Sequence, residues 1–130
     1  MSNHVQWDPL YSVGNEALDS QHKAILAQCN ALSDCTADPT QAAEQRFRAV
    51  FTELLTNVRE HFSTEEALLS IAVYPALDEH REALDEFEEL VANVITTDNF
   101  DMSEIQRFLV LWWIGHMIDS FKKRRAFVEK

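Results

Sequence analysis

The chain has 130 residues, with 22 aspartates and glutamates against 11 lysines and arginines, for a formal charge of −11. That length suits one domain, able to bury about 70% of the surface its unfolded chain exposes. The acidic charge repels phosphate backbones and anionic lipid heads, which excludes nucleic acid and membrane surfaces as natural partners.

An irregular arm comes first, MSNHVQWDPLYS. It has neither the basic start nor the apolar run of a secretory signal, and no later window offers the ~20 apolar residues needed to cross a bilayer. A cytoplasmic protein is expected, with Trp7 and Tyr11 anchoring the arm on the body and His4 doing nothing specific. Cys29 and Cys35 match no metal or redox motif and are expected as reduced structural thiols.

Two glycines and three prolines in the whole chain predict long, seldom broken helices. The first runs from about Asn15 to Ser33 and carries Leu18, His22, Ile25, Cys29 and Leu32 at steps of three and four. Asp38 is the expected N-cap of the second, with Pro39 at its first position, and the helix reaches about Ser70. Leu54, Val58, His61, Glu65 and Leu68 form its inward stripe. Pro75 opens the third, where Leu77, His80, Leu84, Phe87, Val91 and Val94 share a face. After TTDNFDMSE, with Asp101 and Glu104 in capping-box positions, the last helix presents Ile105, Leu109, Trp112, His116 and Asp119. The cluster KKRR at 122–125 reads as a charge complement to a helix end. This pattern predicts an all-α, up-and-down antiparallel four-helix bundle in a single domain, residues 1–130.

Four of the five histidines, His22, His61, His80 and His116, fall on the inward stripe of a different helix each, and Glu65 shares the stripe of His61. An ionised carboxylate among Leu and Phe costs several kcal/mol unless it is paired or bound to a metal. Packing alone does not explain such a set, and facing helices are the usual way a bundle core builds a metal site. Imidazole with carboxylate, and no thiolate in register, suits iron, manganese or zinc. Nucleophilic catalysis finds no support: Ser63, Ser70 and Ser120 have no base and orienting acid in register. Glu66, Glu88 and Glu89 read as a solvated face, and Phe51, Phe87, Trp112 and Trp113 as core.

The order W…VG…LDSQHK, HFSTEEALL, YPALDEH and WWIGHMIDSFKK resembles the bacterial hemerythrins over nearly the whole chain. The resemblance implies a non-haem di-iron centre held by five histidines and two bridging carboxylates. Carried over, His22 and His61 would bind one iron, His80 and His116 the other, and Glu65 would bridge them. Two of the implied ligands are missing. Leu84 stands where the second His of an HxxxH pair belongs, and Phe121 where an Asp follows the last His by five residues.

Three arrangements follow. In the first, one iron takes His22, His61, Glu65, His80 and His116 in a mononuclear site that serves redox, O2 or NO binding or sensing, with peroxide a further small ligand. In the second, Asp119 replaces the lost bridge, two irons remain, and the protein carries or stores O2. A metal-free helical interaction module is the third, and turnover of a small oxidant at an open iron is a further possibility. Asp19 and Asp119 are also candidates to orient a ligand histidine.

Overall fold

The computed structural model describes residues 4–37, 40–95 and 101–129. A short 3-10 turn, Pro9–Tyr11, precedes four long helices: α1 Glu16–Thr36, α2 Gln41–Ile71, α3 Leu77–Ile95 and α4 Met102–Asp119. A π-helical turn, Ser120–Arg124, continues α4 into the short helix α5, Arg125–Val128. The helices pack as the predicted up-and-down bundle. No helix is long and apolar enough to cross a membrane among the described residues.

Local chemistry sets the helix ends. Gly14 takes φ +70, a left-handed turn that favours glycine, and an added Cβ would meet Glu129 Cβ at 3.0 Å. Asn15 then caps α1, accepting from Ala17 N and Leu18 N, and its amide donates to the Val128 carbonyl at 2.8 Å, which ties the two ends of the chain together. Thr40 caps α2. The expected cap and first residue of that helix, Asp38 and Pro39, lie outside the described residues, as does the Val94 side chain. Asp101 caps α4 through Ser103 N and Glu104 N, as its spacing predicts.

Helix α2 closes with a Schellman motif: Tyr74 N donates to Leu69 O and Val73 N to Ser70 O. Val73 holds the left-handed position at φ 57, where glycine is usual. On the outer surface Arg59 grips Glu88 with both Nε and Nη2, and Arg81 pairs with Glu66, so two ion pairs clip α2 to α3.

The core divides in two. A large cluster includes Phe47, Phe62, Leu32, Leu109 and Trp113, and a smaller one gathers Val13, Leu18, Leu69 and Val128. Each fully buried Leu or Phe contributes about 1.5–3 kcal/mol. Between the two clusters lies a buried polar layer, and that layer holds the histidines.

Candidate metal centre

His22 of α1, His61 and Glu65 of α2, and His116 of α4 bring one donor atom each within 4.8 Å of one another, all buried. Two of the imidazoles are oriented by their far nitrogens. Nδ1 of His22 lies 3.0 Å from the Tyr11 carbonyl, which can only accept, so Nδ1 carries the proton. His61 Nδ1 lies 2.8 Å from Gln21 Oε1. The orientation of that amide is itself fixed: Thr64 spends its hydroxyl proton on the Glu60 carbonyl and so accepts from Gln21 Nε2, which turns Oε1 toward His61. His61 Nδ1 therefore donates as well.

Both Nε2 atoms are left as bare lone pairs, and they face each other at 3.2 Å. His116 Nε2 is 3.1 Å from His61 Nε2. Glu65 Oε2 has no hydrogen-bond donor and looks into the same point, 3.2 Å from His61 Nε2 and 3.8 Å from His116 Nε2. The bare Nε2 atoms of His22 and His61 and the unpartnered Oε2 of Glu65 are acceptors brought together in a dry core, and they repel unless a cation sits among them. Adjacent donors held around one ion at roughly 2.1 Å stand about 3.0–3.4 Å apart, so the three contacts of His61 Nε2 at 3.1–3.2 Å fit a metal ion, and the His116–Glu65 pair at 3.8 Å is wider.

The electrostatics keep the donors ready. Burial, and then the neighbouring His61, push the His22 imidazole down from 6.5 to about 4. Burial also holds His116 well below its ordinary value, with His61, Arg124 and His22 acting in the same direction against Glu65. Both rings are neutral at neutral pH, the form that binds metal. Burial alone would raise the Glu65 carboxyl, yet it is held well below its ordinary value, and the His80 Nε2 donor at 2.7 Å and the Arg124 guanidinium at 3.1 Å, both on Oε1, favour its ionised form.

Aromatic rings wall the layer. Trp113 stacks on His116 with centroids 4.9 Å apart, stands edge-on to His61 at 5.2 Å, and donates its indole N–H to the His22 carbonyl at 3.2 Å. Phe62 stacks on His80 at 4.8 Å. On the α3–α4 side a cavity of about 330 Å³ reaches the layer from solvent, bordered by Tyr74, His80, His116, Asp119 and Arg124.

His80, expected as a fifth ligand, meets the group through Glu65: its Nε2 donates to Oε1 at 2.7 Å, and its buried Nδ1 has no partner. The resemblance pairs His116 with His80, whereas here His116 joins His22 and His61. Asp119 is exposed and stands outside the group. The inward face of α4 runs through Ile105, Leu109, Trp113 and His116 to Ser120, so Asp119 falls one position off it and lines only the cavity. Asp19 orients no ligand. Its carboxylate instead accepts from Ser12 Oγ and Val13 N and so pins the arm. Phe121 is half-buried beneath the Arg125 guanidinium. His4 makes an exposed contact with Asp34 at 2.8 Å.

The basic cluster needs correction. Lys122 and Lys123 are exposed, but Arg124 is 8% exposed and drives its guanidinium into the polar layer. Its Nε lies 3.1 Å from Glu65 Oε1, and its Nη2 donates to Ser120 Oγ at 2.8 Å and to the His116 carbonyl at 3.4 Å. The Tyr11 carbonyl, Gln21 and Arg124 are the site groups that sequence reasoning missed. Only Arg124 carried a signal, the steps of four from His116 through Ser120.

Known proteins resemble this chain over most of its length. The model of the hemerythrin HHE cation-binding domain matches residues 13–124. A hemerythrin-like protein of Naegleria gruberi is 31% identical over 120 residues, 92% of this chain and 90% of its own. A myohemerythrin of Theromyzon tessulatum is 25% identical over 115 residues, covering 86% and 83% of the two chains. A bacteriohemerythrin of Campylobacter jejuni is 30% identical over 88 residues, 65% of each. The chain belongs to the hemerythrin family. It is a hemerythrin-like iron-binding domain whose buried His/Glu group could hold a metal ion.

Proposed function

We propose that this protein is a non-haem iron protein with one ion per chain, held by His22, His61, His116 and Glu65, that serves in redox, O2 or NO binding or sensing. The observation that carries the reading is the pair of bare Nε2 lone pairs facing each other at 3.2 Å. His80, the fifth ligand expected from the sequence, acts in this reading on the other oxygen of Glu65 and fixes the carboxylate. Imidazole and carboxylate donors support iron over a soft thiophilic ion. When bound, such an ion supplies a one-electron redox change and a place for a small diatomic molecule or peroxide.

The chain's own groups do the rest. The Tyr11 carbonyl and Gln21 hold two rings in the ligating tautomer, and Trp113 and Phe62 keep bulk water from the ion. The cavity beside His80 and His116 gives a small molecule a way in. Two free, buried cysteines support a reducing, cytoplasmic setting. The exposure of Asp119 counts against the two-iron carrier, and the facing lone pairs count against a metal-free module.

The test is to load the purified protein anaerobically with ferrous iron, remove the excess and measure iron per chain. A value near one supports the reading, two restores the carrier, and none leaves the interaction module. Titrating the loaded protein with NO then reads ligand binding in the visible spectrum; an unchanged spectrum rejects that half of the reading.

A further inference from the structure

On the side of Glu65 away from the three imidazoles, a buried cation is already in place. Arg124 is nine-tenths buried, and its Nε stands 3.1 Å from Glu65 Oε1, the oxygen that also accepts from His80. A guanidinium is costly to bury unless it is paired; here Nε faces Glu65 Oε1 as an ion pair without a hydrogen bond, and Nη2 makes the hydrogen bonds that hold the group. Nη2 donates to Ser120 Oγ and to the His116 carbonyl, so the arginine is fastened to the same turn that carries a ligand. The π-helical turn Ser120–Arg124 brings it there, and turns of this kind often mark functional positions.

We propose that the Arg124 guanidinium is the second cation of the site, occupying by its charge on Glu65 Oε1 the place a second metal ion would take, and so limiting the chain to one ion. This rests on the one-ion reading above. The polar layer divides around Glu65: Oε2 faces the three imidazole nitrogens, and Oε1 faces Arg124 and His80. A dipositive ion at Oε1 would stand against a fixed positive charge in a medium that screens it poorly. Exchanging one dipositive ion and one carboxylate for one guanidinium also leaves the net charge of the buried layer unchanged. Arg124 is thus a specificity determinant for metal number, acting through Glu65 and not as a ligand.

The test supplies, at Leu84, one of the two implied ligands that are missing and then varies Arg124. Leu84 is half-buried, one turn from His80, and with it borders a second surface cavity, lined also by Phe62, Glu66 and Arg81. Leu84→His therefore adds an imidazole beside His80 without opening the core. Each protein is loaded anaerobically with ferrous iron, its fold checked by circular dichroism, and iron per chain measured. With Arg124 intact, Leu84→His stays at one ion. Leu84→His with Arg124→Gln takes two, and Leu84→His with Arg124→Lys, which keeps a cation, returns to one. Two ions in Leu84→His alone overturn the proposal, as does one ion in the Gln combination or two in the Lys combination. No iron in the unaltered chain would instead reject the one-ion reading, a separate failure. Because Leu84→His alone leaves Arg124 in place, the proposal stays open to refutation even if the combined variants fail to fold.

Discussion

The two sides of the polar layer are built on different plans. On the α1–α2 side each imidazole has its far nitrogen tied down, His22 by the Tyr11 carbonyl and His61 by Gln21, and both near nitrogens are left bare. On the α3–α4 side His80 spends Nε2 on Glu65 and keeps an unpartnered Nδ1, and Arg124 brings its own positive charge. The first side is arranged to be completed by an ion from solution. The second is completed by the chain itself. A carboxylate shared between them, one oxygen to each, lets a single buried negative charge serve both.

Removing the metal-facing side should have the largest effect. His61→Ala deletes the nitrogen that stands closest to all the others and is expected to weaken ferrous iron binding at least 100-fold in a chelator competition. His80→Ala, on the other side, should cost about 10-fold, the usual scale for a group that orients a ligand. Equal losses for the two would erase the distinction drawn here.

Metal itself should register as stability. Free iron at about 100 times its dissociation constant adds about 2.7 kcal/mol, which for a domain of this size raises the melting temperature by about 10 °C. A melting curve unmoved by chelator would contradict a prepared site. Gln21→Ala frees the His61 ring without touching the ion and should weaken binding about 10- to 100-fold, with the metal count unchanged.

Acid should act on the metal-free protein through the prepared side. The His22 pKa is depressed to about 4 in the fold, against about 6.5 unfolded, so the unfolded chain binds more protons between those values. The contribution of a neutral His22 is therefore fully present above about pH 6.5 and lost as pH falls toward 4. Denaturant melts of the chelated protein across that range should show the decline, and added metal should resist it.

The smallest expected change lies at the turn that leads into α3. Val73→Gly relieves a β-branched residue at φ 57 whose side chain is 81% exposed, and should stabilise by about 1 kcal/mol with metal binding unaltered. A fall in stability would mean that this residue makes a contact worth more than its strain.

The sequence made the bundle and most of the site legible because burial leaves a periodic trace. His22, His61, Glu65, His80 and His116 sit on inward stripes, and all five are buried. The stripe positions erred where small rotations accumulate. Leu69, not Leu68, is buried at the end of α2, and on α4 the face passes to Ser120 and Arg124, not Asp119. The π turn could not be foreseen, since one added residue per turn has no compositional mark. Nor could the role of Tyr11, because the group that orients His22 is a backbone carbonyl and any residue there would offer one. Gln21 works only through Thr64, forty-three positions away, a pairing that periodicity does not encode.

The arm that supplies the Tyr11 carbonyl makes the centre sensitive to handling at the amino end of the domain. Val5 is clasped by the Asn30 side chain, Lys23 covers the Trp7 ring, and Asp19 holds Ser12 and Val13. These fastenings run along α1 from Asp19 to Asn30, and Val5, Trp7 and Tyr11 pack against the larger core cluster. A bulky fusion partner, an antibody or a protease that peels the arm away would release the proton-bearing side of His22. Metal affinity would then report on an event more than ten residues from the ligand it disturbs.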